Sequence, residues 1–359
     1  MERILCLIEN LGQGGAERQL VGLTCMLKDK GFPVKLITYS NDSFYKHILD
    51  ENNVENDYIA EARNKFRRIP SIIREIRAYK PDVLITFLSG PSSIACIAKM
   101  LGGRFRLIVS ERNTTQTLSL RDKVIFHLYR YADVIVPNSY SQTSFLCDHY
   151  PKFKGKIRTI TNFVDTELFK PKEDDKAWSL SHLLCVARIA PQKNVLKFLD
   201  AIKILKDKGL CFHFDWFGLK NEEYYNKCEN KRLELGLEDY ITFHDAVTDI
   251  LVEYHNADAL VLPSLYEGFP NAICEAMSCG LPILCSNICD NKIIVRENVN
   301  GLLFNPTSAI DMAEVMEIFL TMTESEQRKM SLQSRTFALK DFSKEVFINK
   351  YIDAIENAE

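Results

Sequence analysis

Short apolar runs alternate with amphipathic helical patterns along almost the whole chain, and this alternation constrains the fold more than any other feature. A strand, a helix and a further strand form a right-handed parallel unit, because the crossover helix must pack back on the sheet. Repeated units predict an α/β protein with doubly wound parallel sheets and ligands at the carboxyl ends of the strands. The predicted strands are Arg3–Ile8, Val34–Tyr39, Asp82–Phe87, Leu107–Ser110, Val134–Pro137, Lys156–Ile160, Leu183–Val186, Phe212–Phe217, Ile241–Phe243, Ala259–Leu262 and Pro282–Cys285.

The chain length and composition indicate two globular domains. A length of 359 residues exceeds that of one ordinary domain, and 46% hydrophobic with 26% charged residues is typical of a soluble protein. The sequence has neither an apolar run of about 18 residues, the length of a membrane-spanning helix, nor a signal-peptide pattern. We therefore expect a cytoplasmic protein.

The eleven cysteines are an odd number, and no two of them form a C-x2-C pair. The group Cys274, Cys279, Cys285 and Cys289 has gaps that fit no zinc pattern. Thiols inside apolar runs are predicted to be small core residues without a metal or disulfide role. Examples are Cys6, Cys96, Cys185, Cys211 and Cys285.

Charge is unevenly distributed, although the whole chain carries only −3. Residues 1–165 contain 24 Lys and Arg against 17 Asp and Glu, a net +7, and residues 166–359 contain 21 against 31, a net −10. Such asymmetry predicts an interaction confined to one half. Because the basic half shows no basic stripe with interleaved aromatic residues, we do not expect nucleic-acid binding.

The stretch from Ala259 to Ser286 is predicted to form a strand, a loop, a helix and a second strand. Glu267 lies in the loop and Glu275 lies two turns into the helix. Gly268 allows a ligand to approach the backbone, and the helix start offers N–H groups to an anion. Carboxylates for hydroxyls and a helix start for a diphosphate suit a nucleotide sugar; the alternative is an ordinary turn with two exposed glutamates.

The segment Glu267-Gly-Phe-Pro-Asn-Ala-Ile-Cys-Glu275 resembles the E-x7-E signature of the GT-B glycosyltransferases of family 4. The loop Ala187-Arg-Ile-Ala-Pro-Gln-Lys-Asn194 resembles the R-x4-K-N loop of the same family. As isolated surface cations Arg188 and Lys193 would mean little, but the two glutamates downstream favour one shared site. The resemblance covers nearly the whole chain, and it extends to members that build bacterial surface polysaccharides or lipid-linked oligosaccharides.

Three further segments resemble the family with differences. Gly14-Gly-Ala-Glu-Arg18 after the first strand resembles the family's N-terminal loop; the alternatives are a simple turn or a dinucleotide loop, although G-x-G-x-x-G is absent. Thr161-Asn-Phe-Val-Asp165 resembles the interdomain hinge, with Phe163 in place of glycine. Asp215-Trp-Phe-Gly218 stands where the family has a glycine pair, which leaves the nucleotide-base side of the site undefined.

The resemblance implies two Rossmann-like domains facing a cleft. Residues 1–165 would bind the acceptor and residues 166–340 the nucleotide sugar, while residues 341–359 would form a helix that packs back on the first domain. The charged segment Glu173-Asp-Asp-Lys176 is predicted to be the linker.

The activity implied is transfer of a hexose or N-acetylhexosamine, with retention, from a nucleotide-diphosphate sugar to a glycan or lipid-linked glycan in cell-surface polysaccharide synthesis. A UDP-sugar is favoured, and GDP-mannose stays open. Arg188 and Lys193 would stabilise the departing diphosphate and Glu267 would hold the donor sugar, so these three are the expected catalytic residues. The expected donor-binding residues are Gly14, Gly15, Gly268, Phe269, Pro270, Asn271, Ala272 and Glu275, the last on the ribose. No D-x-D motif occurs, so neither a metal nor another cofactor is expected.

Residues after two strands of the first half are acceptor-side candidates: Glu111, Arg112 and Asn138. Some family members carry histidine where this chain has Arg112. The arginine could bind the diphosphate of a polyprenyl-linked acceptor; the alternative is a solvated ion pair with Glu111.

The segment Arg63–Arg77 mixes six cations and one acid with apolar residues. Ile69, Ile72, Ile73 and Ile76 have helical spacing and are expected to face the core. The cations and Phe66 lie beside this stripe and predict peripheral contact with an anionic membrane, which would place the protein on the inner face of the plasma membrane. The alternative is a solvated basic face.

Other functions remain open. A GT-B binding partner without activity would be expected to lack one of the four charged site residues, and all four are present. A GT-B sugar-nucleotide epimerase is disfavoured by E-x7-E, and a phosphorylase would be much longer and would need a lysine bearing pyridoxal phosphate.

Overall fold

The computed structural model describes residues 1–172 and 181–357, so the predicted linker Glu173–Lys176 lies outside the described residues. The strands are β1 Ile4–Leu7, β2 Val34–Thr38, β3 Glu55–Tyr58, β4 Val83–Phe87, β5 Arg106–Glu111, β6 Val134–Pro137, β7 His182–Val186, β8 His213–Phe217, β9 Ile241–His244, β10 Ala259–Leu262, β11 Ile283–Ser286 and β12 Gly301–Phe304. The α-helices are α1 Gly15–Asp29, α2 Lys46–Glu51, α3 Lys65–Tyr79, α4 Ser89–Met100, α5 Leu120–Leu128, α6 Tyr140–His149, α7 Val195–Asp207, α8 Glu222–Glu234, α9 Leu251–Asn256, α10 Asn271–Ser278, α11 Asn291–Ile294, α12 Ala309–Thr321, α13 Glu324–Phe342 and α14 Lys344–Glu356.

The chain divides into two compact units. The first unit comprises Met1–Phe163 and Glu345–Glu359, and the second unit comprises Val164–Lys344. Each unit contains one parallel six-stranded sheet, which confirms the predicted α/β class with two Rossmann-like domains. No helix within the described ranges has the length and apolar character needed to cross a bilayer.

The sheet of the first unit has the strand order β3-β2-β1-β4-β5-β6. Helices cover both faces, so β1, β4 and the middle of β5 are buried and their sequences are apolar, apart from the buried Thr86 of β4, rather than alternating. Chain order reverses between β1 and β4, where a doubly wound sheet opens a crevice at its carboxyl edge. The loop that carries Gly14 follows β1 at this edge.

The C-terminal helix α14 belongs to the first unit, as predicted. Its Phe347 ring lies 5.0 Å from the Phe163 ring, and its Tyr351 ring stacks at 6.3 Å from Phe87 of β4. Both aromatic residues of α14 are buried. The apolar face that the sequence predicts for the tail therefore completes the core of the first unit.

The sheet of the second unit has the order β12-β11-β10-β7-β8-β9. Chain order reverses between β7 and β10, which pair directly through Ala259 with Leu183 and Leu260 with Leu184. The loop that carries Arg188 follows β7, and the loop that carries Glu267 follows β10. The sheet order thus places the two predicted donor loops side by side at the switch point.

Several predictions at the level of single elements are wrong. Lys156–Ile160 is not a strand: residues 151–156 form a 3-10 turn, and the chain makes only an isolated bridge between Ile157 and Ile135 of β6. Ile69 is 39% exposed instead of buried, whereas Ile72, Ile73 and Ile76 are core residues as predicted. Cys211 is exposed, although Cys6, Cys96, Cys185 and Cys285 are buried free thiols.

The sequence does not predict six elements, which are β3, β12, α2, α6, α9 and α11. β3 shows the reason, because its sequence Glu-Asn-Asp-Tyr is polar and it forms an edge of the sheet. A short polar edge strand is held by backbone pairing with its neighbour, which leaves no periodic signal in the sequence.

Candidate active site

The loop after β7 has a well-supported backbone. Ala187 donates its N–H to the carbonyl of Phe217, the last residue of β8, at 3.0 Å. Ile189 donates to the Leu219 carbonyl at 2.9 Å, which extends the parallel ladder past the strand end. Asn194 ends the loop with a φ of 60°, and its Nδ2 donates to a backbone carbonyl at 2.7 Å. The loop therefore presents Arg188 and Lys193 from fixed positions.

Lys193 and Glu267 form an ion pair, with 2.5 Å between Nζ and Oε1. Their side chains are 14% and 8% exposed, so the pair is shielded from most solvent. The same two loops are joined twice more, because the Leu265 N–H donates to the Gln192 carbonyl and Gln192 Nε2 donates to the Tyr266 carbonyl, both at 2.8 Å. Two of the three predicted catalytic residues thus meet across 74 positions of sequence.

Arg188 differs from Lys193 in its surroundings. It is exposed, and among the described residues it forms no ion pair. The guanidinium is therefore accessible to an anionic ligand from solvent.

Helix α10 has the bounds that the sequence predicts, Asn271–Ser278, and an open first turn. Within the described part of the chain no side chain caps this helix, and its first turn contains no acidic residue. A helix start carries partial positive charge. Here the Asn271 and Ile273 N–H groups donate to the Phe269 and Pro270 carbonyls at 3.0 and 3.1 Å, so among the described residues the Ala272 N–H is the donor of this turn left for an anion. Phe269 and Pro270 are buried, while Gly268, Asn271 and Ala272 are partly exposed, so an anion can approach the first turn.

Glu275 is held by a residue that sequence reasoning missed. The hydroxyl of Tyr254, on α9, donates to Glu275 Oε2 at 3.1 Å. Tyr254 is fully buried, and its ring packs edge-on against Phe169 at 5.9 Å. Glu275 itself is 7% exposed. No periodicity distinguishes Tyr254 from an ordinary core tyrosine, so its role follows only from the contact.

The segment Asp215-Trp-Phe-Gly218, which has one glycine where the family has a pair, contains a packed aromatic residue. Phe217 stacks on His244 with 4.3 Å between ring centroids and 11° between planes. The remaining glycine is required, because a side chain at Gly218 would come within 2.1 Å of the Ala187 carbonyl oxygen. The departure from the family pattern is thus accommodated without opening the backbone contact between the loops after β7 and β8.

Three histidines surround Asp215 on neighbouring strands, which the sequence did not reveal. His182 Nε2 lies 2.6 Å and His244 Nε2 2.5 Å from its carboxylate oxygens, and His213 Nε2 lies 3.6 Å away. Burial opposes ionisation of Asp215, but the hydrogen bonds from His182 and His244 prevail and lower its pKa to about 2. The pKa of His182 is raised by its hydrogen bond to Asp215. Among the described residues no group of three or more His, Cys, Asp or Glu is arranged to hold a metal ion.

The glycine loop of the first unit is flanked by carboxylates. Gly14 precedes α1 and Gly15 is its first residue, and a side chain at Gly14 would come within 2.0 Å of Glu17 Oε2. Burial raises the pKa of Glu17, and the charges of Asp42 and Glu9 add to this effect. The negative surroundings suit sugar hydroxyls better than a diphosphate. The assignment of Gly14 and Gly15 to donor binding stays a prediction.

Glu111 ends β5 and is buried, with 4% exposure. The hydroxyl of Tyr129, which is fully buried, donates a short hydrogen bond to Glu111 Oε1. Burial raises the pKa of Glu111 to about 7, although the hydrogen bond from Tyr129 works in the opposite direction. Asn138, the next acceptor candidate, is also buried and donates its N–H to the Glu111 carbonyl at 3.0 Å.

Arg112 is turned into the first unit. Its guanidinium lies 3.8 Å over the Phe87 ring centroid and donates to Asn162 Oδ1 at 3.0 Å and to the Tyr351 hydroxyl at 3.4 Å. Burial lowers its pKa. The predicted solvated ion pair with Glu111 is not what the structure shows, since both side chains are buried on different partners. Binding of an anionic acceptor by Arg112 stays a prediction, and its observed contacts tie α14 to β4 and to the segment after β6.

Two doubly wound parallel units in one chain, with a cationic loop and an open helix start at the switch point of the second, define the GT-B architecture. The fold matches the structure of Anabaena Alr3699/HepE in complex with UDP and glucose, with a TM-score of 0.85, 17% identity and coverage of 99% of this chain and 100% of that one. It also matches the lipopolysaccharide outer core galactosyltransferase WaaB, with a TM-score of 0.78, 19% identity and 99% coverage of both chains.

The sequence establishes the family. The model for glycosyl transferases group 1 matches residues 168–336 and the model for glycosyltransferase family 4 matches residues 13–168. The chain belongs to the GT-B glycosyltransferases of family 4, as the sequence motifs predicted, and it is a hexosyl- or hexosaminyltransferase.

Two relatives are named as transferases that act on undecaprenol-linked sugars. A Campylobacter jejuni alpha-1,4-N-acetyl-D-galactosaminyltransferase, named for the substrate GalNAc-alpha-(1->4)-GalNAc-alpha-(1->3)-diNAcBac-PP-undecaprenol, is 27% identical over the whole of both chains. An Escherichia coli UDP-Gal:alpha-D-GlcNAc-diphosphoundecaprenol alpha-1,3-galactosyltransferase is 34% identical over 41% of this chain and 41% of its own length.

Proposed function

We propose that this enzyme transfers a hexose or N-acetylhexosamine from a UDP-sugar, with retention, to a glycan carried on a polyprenyl diphosphate. The observation that carries the proposal is the Lys193–Glu267 pair beside the open first turn of α10. This arrangement combines a shielded cation, a carboxylate and a helix start within two loops that meet at the switch point.

The Lys193–Glu267 ion pair has a direct consequence for donor binding. A diphosphate bears more negative charge than one carboxylate, so it competes with Glu267 for the Lys193 ammonium. Glu267 is then available to accept a hydrogen bond from a donor sugar hydroxyl. Arg188, exposed on the same loop, adds the second cation, and Glu275 accepts from the ribose while Tyr254 holds it in place.

The chemical step moves charge towards these groups. The bond between the anomeric carbon and the diphosphate oxygen breaks, and its electron pair leaves with the nucleotide. The acceptor hydroxyl bonds to the same face of the anomeric carbon and gives its proton to the departing diphosphate oxygen. Negative charge grows on the departing diphosphate, so the two cations and the α10 start stabilise the transition state more than the ground state.

The test of the site is Lys193→Ala. Loss of one electrostatic stabiliser should raise the barrier to transfer by about 2–4 kcal/mol, or about 30- to 1000-fold in rate. Lys197→Ala removes an exposed lysine from the same part of the chain and is the matched control. Equal turnover of the folded Lys193→Ala variant and the control would refute the catalytic assignment of Lys193. Binding of the nucleotide sugar without transfer by the unaltered protein would instead indicate a catalytically silent binding protein.

The choice of donor and acceptor is supported by the relatives, whose names specify undecaprenol-linked acceptors and, in one case, UDP-Gal. UDP should raise the melting temperature of this protein, and a rise with GDP alone would overturn the choice of donor.

We also propose that no metal participates, on the ground that the sequence lacks D-x-D. Transfer should continue in excess EDTA, and inhibition reversed by magnesium or manganese would contradict this.

Contact with an anionic membrane at the cytoplasmic face is supported by the start of α3. Phe66 is 94% exposed, and Arg63, Lys65 and Arg67 are exposed beside it. The first turn of α3 contains no acidic residue, although a helix start favours one. Other cations of this segment have partners within the protein, such as Arg74, which pairs with Glu61 at 2.9 Å. The exposed group at the helix start is thus the part of the segment suited to lipid.

A further inference from the structure

Helix α5 presents a second exposed apolar patch on the first unit. Leu120 is 81% exposed and Val124 is 63% exposed, and they lie one turn apart on the same side of the helix. The opposite side is anchored, because Ile125 and Phe126 are buried in the core. The helix is therefore firmly seated while two large apolar side chains project into solvent.

The same turn of α5 carries uncompensated positive charge. Ser119 and Asp122 form a capping box, with 3.1 Å between the Asp122 N–H and Ser119 Oγ, so the nearest carboxylate is already engaged. Arg121 and Lys123 are exposed and form no ion pair among the described residues. The patch, defined as Leu120, Arg121, Lys123 and Val124, thus combines apolar surface with two available cations.

Helices α3 and α5 lie on one face of the sheet. Each packs beside α4, and all three contribute residues to one core cluster. Helix α3 follows β3 and helix α5 follows β5. Because all strands of the sheet are parallel, the first turns of both helices lie towards the edge formed by the carboxyl ends of the strands. The patch on α5 and the exposed group around Phe66 are therefore presented towards the same edge of the first unit.

We propose that the α5 patch is a second membrane contact, so that the first unit docks on an anionic bilayer through the starts of both α3 and α5. This rests on the membrane contact proposed for α3. Apolar side chains among cations match the boundary between acyl chains and anionic head groups. A leucine that stays exposed to water contributes no hydrophobic free energy, whereas burial in the bilayer would provide it. Two contacts on one rigid face also define how the unit is oriented on the membrane. They strengthen binding as well, because the first contact holds the second at a high effective concentration next to the bilayer.

The experiment is co-sedimentation of the full chain with phosphatidylglycerol-containing vesicles and with phosphatidylcholine vesicles. The double variant Leu120→Ser/Val124→Ser should bind anionic vesicles about tenfold or more weakly than the unaltered protein, since each lost apolar side chain removes part of its transfer free energy. Arg121→Glu/Lys123→Glu should show a similar loss that shrinks in high salt, because screening already weakens the charge contribution. Leu332→Ser, which alters a leucine of the second unit that is 66% exposed, is the matched control and should bind normally.

A direct readout comes from Leu120→Trp, whose emission should be quenched by brominated phospholipid, with Leu332→Trp unquenched. Equal binding of the Leu120→Ser/Val124→Ser variant and the unaltered protein would overturn the proposal, and so would loss of self-association in that variant without any change in vesicle binding. A UDP-induced rise in melting temperature, measured in every variant, reports the donor site separately. Failure of UDP to stabilise any of them would count against the proposed function and not against the α5 contact.

Discussion

Glu111 offers the sharpest test of the structure, because its environment predicts both the sign and the size of a pH effect. Burial raises its pKa from 4.5 in an exposed state to about 7 in the folded protein. Between these values the unfolded chain releases a proton that the folded chain retains, so stability falls as pH rises through this range. At 1.36 kcal/mol per pKa unit, the difference costs about 3 kcal/mol above pH 7.

Glu111→Gln removes this penalty while keeping the shape of the protonated side chain and an acceptor for the Tyr129 hydroxyl. The variant should match the unaltered protein near pH 4.5 and exceed its free energy of unfolding by about 3 kcal/mol at pH 8. Urea unfolding at several pH values, with hydrogen exchange of β5 and α5 as a local reporter, measures the difference. Glu238→Gln, at an exposed glutamate, should show no such gain.

A second variant separates the two causes that act on Glu111. Tyr129→Phe removes the hydrogen bond that lowers the pKa of Glu111. It should therefore move the loss of stability to higher pH and make it larger, whereas Glu111→Gln abolishes it. A gain from Glu111→Gln that is the same at pH 5 and pH 8 would refute the reasoning, because a packing effect does not depend on protonation.

Three further changes test other contacts. Tyr254→Phe removes the hydroxyl that holds Glu275 and should raise KM for the donor with kcat little changed; an unchanged KM would remove Tyr254 from donor binding. Gly22→Ala should lower the free energy of unfolding by about 1 kcal/mol, because a side chain there would come within 2.3 Å of the Phe163 ring and this overpacking outweighs the helical preference for alanine. In a Phe163→Leu background the same change should be stabilising. Asp215→Asn should destabilise the protein more at pH 6 than at pH 9. The raised pKa of His182 contributes stability below the unfolded-state pKa of 6.5, and this contribution disappears at higher pH. A loss of stability that is independent of pH would contradict the charge pairing.

Much of the candidate active site was predictable from local sequence. Helix α10 has the predicted bounds because the proline before it and the glycine after it limit an apolar-periodic segment. The position of Lys193 after a strand, and of Glu267 after another, predicted that both face the carboxyl edge. Their 2.5 Å contact needed one more fact, the adjacency of β7 and β10, which sequence order does not contain.

Other parts of the first unit could not be predicted from the sequence, and the reason is physical. Arg112 follows a strand just as Arg188 does, yet one is buried against Phe87 and the other is exposed. Residue type and position are alike in the two cases; the difference is that α14 supplies Tyr351 as a partner to Arg112. A partner 239 residues away leaves no trace in the local pattern.

The sequence by itself determined the fold class, the two parallel sheets and the family, because strand–helix periodicity and motif spacing are local properties. Only the tertiary structure decided how the histidines assemble around Asp215, since His182 and His213 become neighbours through the register of β7 and β8. It also decided which apolar residues stay outside. Ile72 and Leu120 are both apolar and both lie on helices, but only the packing of each helix on the sheet determines that the first is buried and the second is 81% exposed.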